Sequence, residues 1–297
     1  ILARKNTIFA ATFAYKKATK MKILTIDTGY FYADGGALFG AIPKTSLSRR
    51  YPSNAQNACV LAMRSLLIKA DGRIILVDNG AGYKHLKALS YYQFFDLQDL
   101  HDALRKRGIE PTDVTDMVFT HLHFDHCGYT TLQDPQSDAL RLAFPNANHW
   151  VSRRQWENFR QPHPLEQGSY FPEDMELVET SGRLRLVEEE EMALTPHVRF
   201  RLFDGHTPGQ IALYCDLPER TYLFAGDVIP LAAHLSLAWI SAYDDAPLRS
   251  YEAKERMLAE AVAHKQAIIY CHDAHTCCST VKRINHFYSK DASLTLG

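Results

Sequence analysis

Residues 120–128 read THLHFDHCG, and three histidines and one aspartate fall within the six positions 121–126. His121, His123 and Asp125 share a spacing of two, which places them on one side of an extended chain. His126 breaks that alternation, so the chain must turn there, and Gly128 eases the turn. A helix is excluded for the first pair, because positions two apart point roughly 200° from each other around a helical axis. The preceding TDMVFT (115–120) reads as a buried strand. The cluster therefore sits on a loop leaving a strand end, the usual place for chemistry grafted onto a scaffold. One exposed histidine would be an ordinary solvated side chain, whereas this density after an apolar strand points to metal binding.

Four residues do not complete two metal sites, and the same design recurs further along. His206 follows the apolar run HVRFRLFDG (197–205), with Gly and Pro enforcing a turn. Asp227 ends TYLFAGD (221–227), and His272 stands near the end of QAIIYCHD (266–273). Each is a lone ligand-type residue at the tip of an apolar strand, so separate strands are expected to converge on one site.

The rest of the chain supplies a frame of mixed elements. KILTIDTG (22–29) alternates and is β-branched, which predicts a strand. SLLIKADGRIILVDNG places two apolar runs around Asp71-Gly72, a strong hairpin signal. FFDLQDLHDALRKRG (94–108) has helical spacing and a Gly stop. IALYCD (211–216) predicts a strand, YEAKERMLAEAVAHK (251–265) a helix, and TVKRINHFYSK (280–290) a terminal helix. Strands with hairpins, interrupted by helices, argue for mixed sheets covered by helices rather than a parallel α/β fold.

Composition narrows the partners. Hydrophobic residues make up 46% and charged residues 23%, a globular mix able to bury a large core. Lys plus Arg (33) nearly cancels Asp plus Glu (34), so the basic stripe of a nucleic-acid binder is missing. Nothing approaches the roughly 18 apolar residues of a membrane span. Six cysteines at irregular spacing, with no CxxC pair, suggest reduced thiols and a cytoplasmic protein. A small-molecule substrate is the expected partner, and a homodimer is left open. Residues 1–20 carry basic residues and no acid; they are expected to be an extension, with one domain spanning 21–297.

At the His/Asp blocks the chain resembles the metallo-β-lactamase-fold hydrolase superfamily. The matching pieces are His121-x-His123-x-Asp125-His126, then His206, Asp227 and His272 in the family's order. The resemblance covers residues 22–290 and implies an α+β fold. This is an αββα sandwich, two mixed β-sheets face to face and flanked by helices, with a dinuclear site at one edge. Carried over residue by residue, His121, His123 and His206 would hold one metal, Asp125, His126 and His272 the other, and Asp227 would bridge. Asp125 and Asp227 would be the catalytic carboxylates. Imidazole and carboxylate without thiolate suit zinc, and also iron or manganese; two zinc ions are the expectation. HxHxDH rather than HxExDH argues against a flavodiiron-type redox centre, while a mononuclear iron oxygenase of the persulfide-oxidising type stays open. Asp78, in LVDNG, matches the family's aspartate that orients a ligand from behind, with an Asx turn as the simpler reading.

The resemblance also frames the reaction. A metal-bridging hydroxide acting on a lactone or carboxylic ester is the first expectation, in a lactonase- and esterase-like branch. The stretch IPLAAHLSLAWISAYD (229–244) resembles that branch and makes His234 and Trp239 pocket candidates; a lone His among apolar residues is otherwise a core histidine. Acyl-homoserine lactonases of the family carry a tyrosine three residues past the bridging aspartate, where this chain has Pro230. Glyoxalase-II-like thioester hydrolysis is an alternative, although DHCGYT (125–130) departs from the family's usual Gly-Gly. Phosphotriester or phosphodiester hydrolysis is another. A β-lactamase role is disfavoured, since the main zinc lactamases use a cysteine ligand. From a different class, a catalytically silent metal-dependent sensor would be favoured by a missing ligand, and all seven are present. His149, His275 and Cys127 are read as surface or packing residues. FYADGGALFG (31–40) is either a flap or a glycine turn, and the polar insert 153–182 is a candidate entrance wall.

Overall fold

In the computed structural model, residues 21–296 are described, Pro135 and Asp138 excepted. The segment 1–20, read above as an extension, lies outside the described residues.

The Asp71-Gly72 signal does form a two-residue turn, both residues having positive φ (53° and 78°), as tight hairpins require. It joins β2 (Ala58–Ala70) to β3 (Arg73–Val77) in antiparallel register. On the other side of β2 lies β1 (Lys22–Asp34), also antiparallel. Beyond β3 come three parallel strands, β4 (Asp116–Val118), then, past a small hairpin of β5 (Thr131–Gln133) and β6 (Leu140–Leu142), β7 (Asn148–Ser152) and β8 (Leu184–Val187). These make a six-stranded mixed sheet, β1-β2-β3-β4-β7-β8.

The second half builds a facing sheet from β9 (Glu191–Thr195), β10 (Val198–Phe203), β11 (Gln210–Asp216), β12 (Thr221–Phe224), β13 (Ala267–Ile269), β14 (Cys278–Ile284) and β15 (Phe287–Leu294). Their order is sequential, and only β12–β13 is parallel among the described residues. Period-2 alternation explains the layering. Leu66, Ile68, Ile75 and Val77 of the first sheet meet Phe200, Ile211, Leu213 and Phe224 of the second in one buried layer. The residues between them point outward. Leu67, Leu76 and Met117 pack under α3 (Leu100–Arg105), α5 (Arg153–Arg160) and α6 (Glu176–Thr180). Ala212, Tyr214 and Leu223 pack under α7 (Pro247–Ala263). The result is the expected αββα sandwich of two mixed sheets.

Three expectations change. The segment 280–290 is not a helix: Asn285 at φ +54° turns β14 back into β15, and the β-branched Thr280 and Val281 favour the strand. The helix predicted over 94–108 is confined to 100–105, because Asp99 caps it through the Asp102 amide at 3.0 Å and Phe95 pairs with Tyr30 upstream. The 31–40 segment is the end of β1 followed by α1 (Gly35–Phe39), capped by Asp34, with Phe31, Leu38 and Phe39 buried, and the short α2 (Lys44–Leu47) comes next.

The long β2 links both sheets. Its amides at Ala62 and Arg64 donate to the His272 and Cys271 carbonyls at 2.9 and 3.0 Å. Among the described residues no helix is long and apolar enough to cross a membrane. All six cysteines are free thiols.

Candidate metal centre

The seven ligand candidates meet at one edge of the sandwich, each delivered by the end of a strand. His121 and His123 follow β4, and Asp125 and His126 lie in α4 (Phe124–Cys127). His206 follows β10, Asp227 follows β12, and His272 follows β13. The extended reading of the cluster therefore holds only as far as His123. The chain turns helical at Phe124, with the Cys127 amide bonded to the His123 carbonyl at 3.1 Å. Gly128 is needed there for closeness: a Cβ would lie 2.2 Å from the Ala81 carbonyl oxygen.

Ligand atoms fall into two trios with a carboxylate between them. His121, His123 and His206 bring nitrogens within 4.8 Å of one another, as do Asp125, His126 and His272 with their own ligand atoms. Asp227 Oδ2 lies 3.4 Å from His206 Nε2, and its Oδ1 lies 3.4 Å from His126 Nε2 and 3.2 Å from His272 Nε2. Asp125 Oδ2 lies 3.5 Å from His272 Nε2 and 3.8 Å from His126 Nε2.

The outward nitrogens of these rings are held by acceptors. His126 Nδ1 donates to Asp78 Oδ2 at 2.8 Å, His206 Nδ1 to Asp244 at 3.0 Å, His272 Nδ1 to the Ala62 carbonyl at 2.7 Å, and His123 Nε2 to Glu166 at 2.8 Å. In the neutral rings that assignment leaves lone pairs on the inward nitrogens. Yet His206 Nε2 and His123 Nδ1 are only 3.1 Å apart, and His126 Nε2 and His272 Nε2 only 3.0 Å. Facing lone pairs at that distance repel unless a proton or cation stands between them. His121 Nε2 is buried with no partner. The donor set thus fits divalent cations, with a carboxylate or carbonyl behind each of these four rings, as metal-binding histidines require.

The charges explain the titration directions. Burial lowers His121 and its neighbours His126 and His123 lower it further, to well below the usual imidazole range. Burial opposes protonation of His126 too, but Asp125, Asp227 and Asp78 hold it well above that range. At His206 burial is likewise outweighed, by Asp227 and Asp244, which push it up to about 9. Burial would raise Asp227, yet His272, His126 and His206 hold it well below the carboxylate range. A cation competes with these bound protons.

Asp78 is buried and also accepts from the Thr120 amide and hydroxyl, both at 2.8 Å. His234 and Trp239 are not at the cleft. His234 stacks on Phe39 with ring centres 4.8 Å apart and bonds the Leu38 carbonyl at 3.0 Å. Trp239 meets Phe39 edge-on and lies under Arg50. Both serve packing, because apolar neighbours on α1 and around 231–239 enclose them. His149 is buried, His275 packs on Tyr51, and Cys127 Sγ is buried near the Leu122 carbonyl.

Residues missed by the sequence reading stand behind the ligands. Glu166 is buried and accepts from His123, Tyr170 and Asn158. Asp245 hydrogen-bonds Glu166; burial and that neighbour push it up to about 7. Glu166 and the pair Asp244-Asp245 lie on irregular segments, where no periodicity marks a facing side chain. A cleft of about 260 Å³ opens over the site, a little below the roughly 300 Å³ at which drug-sized ligand pockets begin. Phe31, Leu38, Leu61, Tyr92 and Phe124 form its apolar wall, and Leu165, Glu166 and Ser169 come from the 153–182 insert.

Paired mixed sheets with a histidine–aspartate centre at the strand tips define a metal-dependent hydrolase type of fold. Residues 64–271, more than half the chain, match the metallo-beta-lactamase superfamily, and the chain belongs to it. A protein from Staphylococcus aureus described as a probable metal-dependent hydrolase is 26% identical, with a TM-score of 0.82 over 94% of this chain and 100% of that one. AidC, a dizinc quorum-quenching lactonase, is 19% identical with a TM-score of 0.75, covering 95% and 97% of the two chains. An N-acyl homoserine lactone hydrolase with N-hexanoyl-L-homoserine at its metal centre is 19% identical, TM-score 0.66, covering 86% and 94%. What the last two share with this chain is the fold.

Proposed function

We propose that the protein hydrolyses a small lactone or carboxylic ester, using two zinc ions held by His121, His123 and His206 and by Asp125, His126 and His272, with Asp227 between them. The observation that carries this reading is the two-sided Asp227 carboxylate, one oxygen facing each trio, at the floor of a cleft with an apolar wall. When bound, such a cation pair supplies Lewis acidity and a water acidic enough to give hydroxide near neutral pH. The chain's own residues do the rest. Asp125 lines the cleft and can hold the proton of the attacking water on its carboxylate. Asp78, Glu166, Asp244 and the Ala62 carbonyl fix four imidazole rings in orientation, so little reorganisation is needed during the reaction. Phe31, Leu38, Leu61, Tyr92 and Phe124 exclude water and receive the apolar part of the substrate. Lactonases sharing this fold support the choice of bond.

Metal analysis followed by a substrate panel tests the proposal. Two zinc equivalents are expected, with lactone or ester turnover abolished by chelator and restored by zinc. Binding of less than one equivalent overturns it. So does a zinc-loaded protein that leaves esters, lactones, thioesters and phosphoesters all intact. Preferred turnover of thioesters or phosphotriesters would move the activity to those bonds.

A further inference from the structure

β13 ends at Ile269, so the segment 270–273, which carries His272, lies beyond the regular ladder of its own sheet. β2 supplies a substitute. The Tyr270 carbonyl accepts from Arg64 Nη1 at 2.6 Å and the Cys271 carbonyl from the Arg64 amide at 3.0 Å. The His272 carbonyl accepts from the Ala62 amide at 2.9 Å and the Asp273 carbonyl from Arg64 Nη1 at 3.0 Å. Arg64 thus provides three of these four donors, and its side chain brackets the Cys271–His272 pair. The guanidinium is itself fixed, since Nε and Nη2 donate to Asp27 Oδ1 and Oδ2 at 2.7 and 3.0 Å, the planar fork by which arginine holds a carboxylate. Arg64 is buried and Asp27 balances its charge. Among the described residues every side-chain hydrogen bond of Arg64 goes to Asp27, Tyr270 or Asp273, and none to the segments carrying His121, His123 and His206.

Resting on the two-zinc centre proposed above, we infer that Arg64 is a positioning residue for His272. It sets the hold of the Asp125–His126–His272 trio on its cation without setting that of the other trio. The physical reason is rigidity: a ligand must be kept within about 0.5 Å of its bonding position by neighbours that are themselves locked. The Ala62 carbonyl aims the His272 ring at 2.7 Å, and Arg64 fixes the backbone from which that ring projects. Lysine at position 64 would keep the positive charge. A single ammonium has no planar fork, however, and cannot take Asp27 in two bonds while reaching both carbonyls. The segment would keep its bonds to the two β2 amides and lose the clamp.

The test titrates zinc against a chromophoric chelator in wild type, Arg64→Lys and Asp27→Asn, resolving the two affinities. In Arg64→Lys one zinc should loosen by about 10- to 100-fold, while the other stays within about twofold. Asp27→Asn leaves Arg64 in place but weakens its anchor, and should loosen the same zinc by roughly three- to tenfold; it carries the comparison if Arg64→Lys does not fold. A His272→Ala background assigns the effect. With that ligand gone, adding either substitution should leave the remaining zinc within about twofold, whereas a merely structural role would weaken it further. Equal loosening of both ions, no loosening of either, or a further loss in the His272→Ala background overturns the inference. If wild type binds fewer than two zinc equivalents, the two-zinc reading falls, and deuterium exchange of the metal-free proteins still decides the role of Arg64. Exchange over 270–273 should then quicken by about tenfold or more in the variants and stay unchanged over 118–128. Unchanged exchange at 270–273, or faster exchange in both segments, overturns the inference.

Discussion

Asp78→Asn removes a charge while keeping size and backbone tolerance, and the surroundings of that carboxylate fix the consequence. The side chain is buried and takes three donors at 2.8 Å, the Thr120 amide, the Thr120 hydroxyl and His126 Nδ1. Its φ of +52° lies in the left-handed region that Asn also adopts readily, so strain is not the perturbation. An amide offers one oxygen, and its NH2 must face at least one of the three donors. One unpaired buried donor costs about 1–3 kcal/mol, and with loss of the charge-assisted bonds the total is about 2–4 kcal/mol. For a domain of this size, each kcal/mol lowers the melting temperature by about 2 °C, so a drop of roughly 4–8 °C is expected. His126 also loses the acceptor that fixes its tautomer, which should loosen the zinc proposed to sit between His126, Asp125 and His272 by about 10- to 100-fold. Calorimetric melting of the metal-free protein and zinc competition against a chromophoric chelator read the two effects separately. A melting shift under about 1 °C with zinc affinity within about twofold of wild type would refute the reasoning.

Other perturbations probe the rest of the site. Asp227→Asn should reduce bound zinc to about one equivalent and lower ester turnover by about 100-fold or more, checked by elemental analysis and kcat. Glu166→Ala should weaken zinc at the His121–His123–His206 trio by about 10- to 100-fold, again by chelator competition. In the metal-free protein, His206 has its folded pKa raised from 6.5 to about 9. Its stabilisation is fully present below the unfolded value and is lost as pH rises from about 6.5 through 9. The apo melting temperature should fall across that window while zinc affinity climbs and levels off above it; a flat profile would contradict the assignment. His234→Phe should cost about 1–2 kcal/mol in denaturant unfolding, for the lost bond to Leu38, and leave kcat/KM for the ester unaltered.

The sequence disclosed what repeats and withheld what does not. His121, His206, Asp227 and His272 were legible because each follows an apolar run that only a buried strand explains. The unbroken apolar run at Leu66, Leu67 and Ile68 was legible as one arm of a hairpin, and the structure explains the lack of alternation, since that strand is buried on both faces. The error at 280–290 has a local cause: Asn285 takes a positive φ in a turn, and turns of that kind leave little periodic trace. Glu166 and Asp245 were invisible because their segments have no regular geometry, so nothing in the spacing says which way a carboxylate faces. His234 and Trp239 illustrate the converse, since an apolar setting identified burial correctly but not whether the buried face met the cleft or the core.

The long second strand also sets an order of events during synthesis. Ala62 grips His272 through both its amide and its carbonyl, residues 210 positions apart in the chain. No partial chain released from the ribosome before β13 emerges can close the centre, and contacts so distant in sequence form slowly. The four-residue cluster at 121–126 must therefore wait, exposed and incomplete, while more than half the chain is still unmade. On the proposed metal site, cation capture would then mark the end of folding rather than its beginning. In a pulse-chase refolding experiment it should trail the recovery of sheet structure.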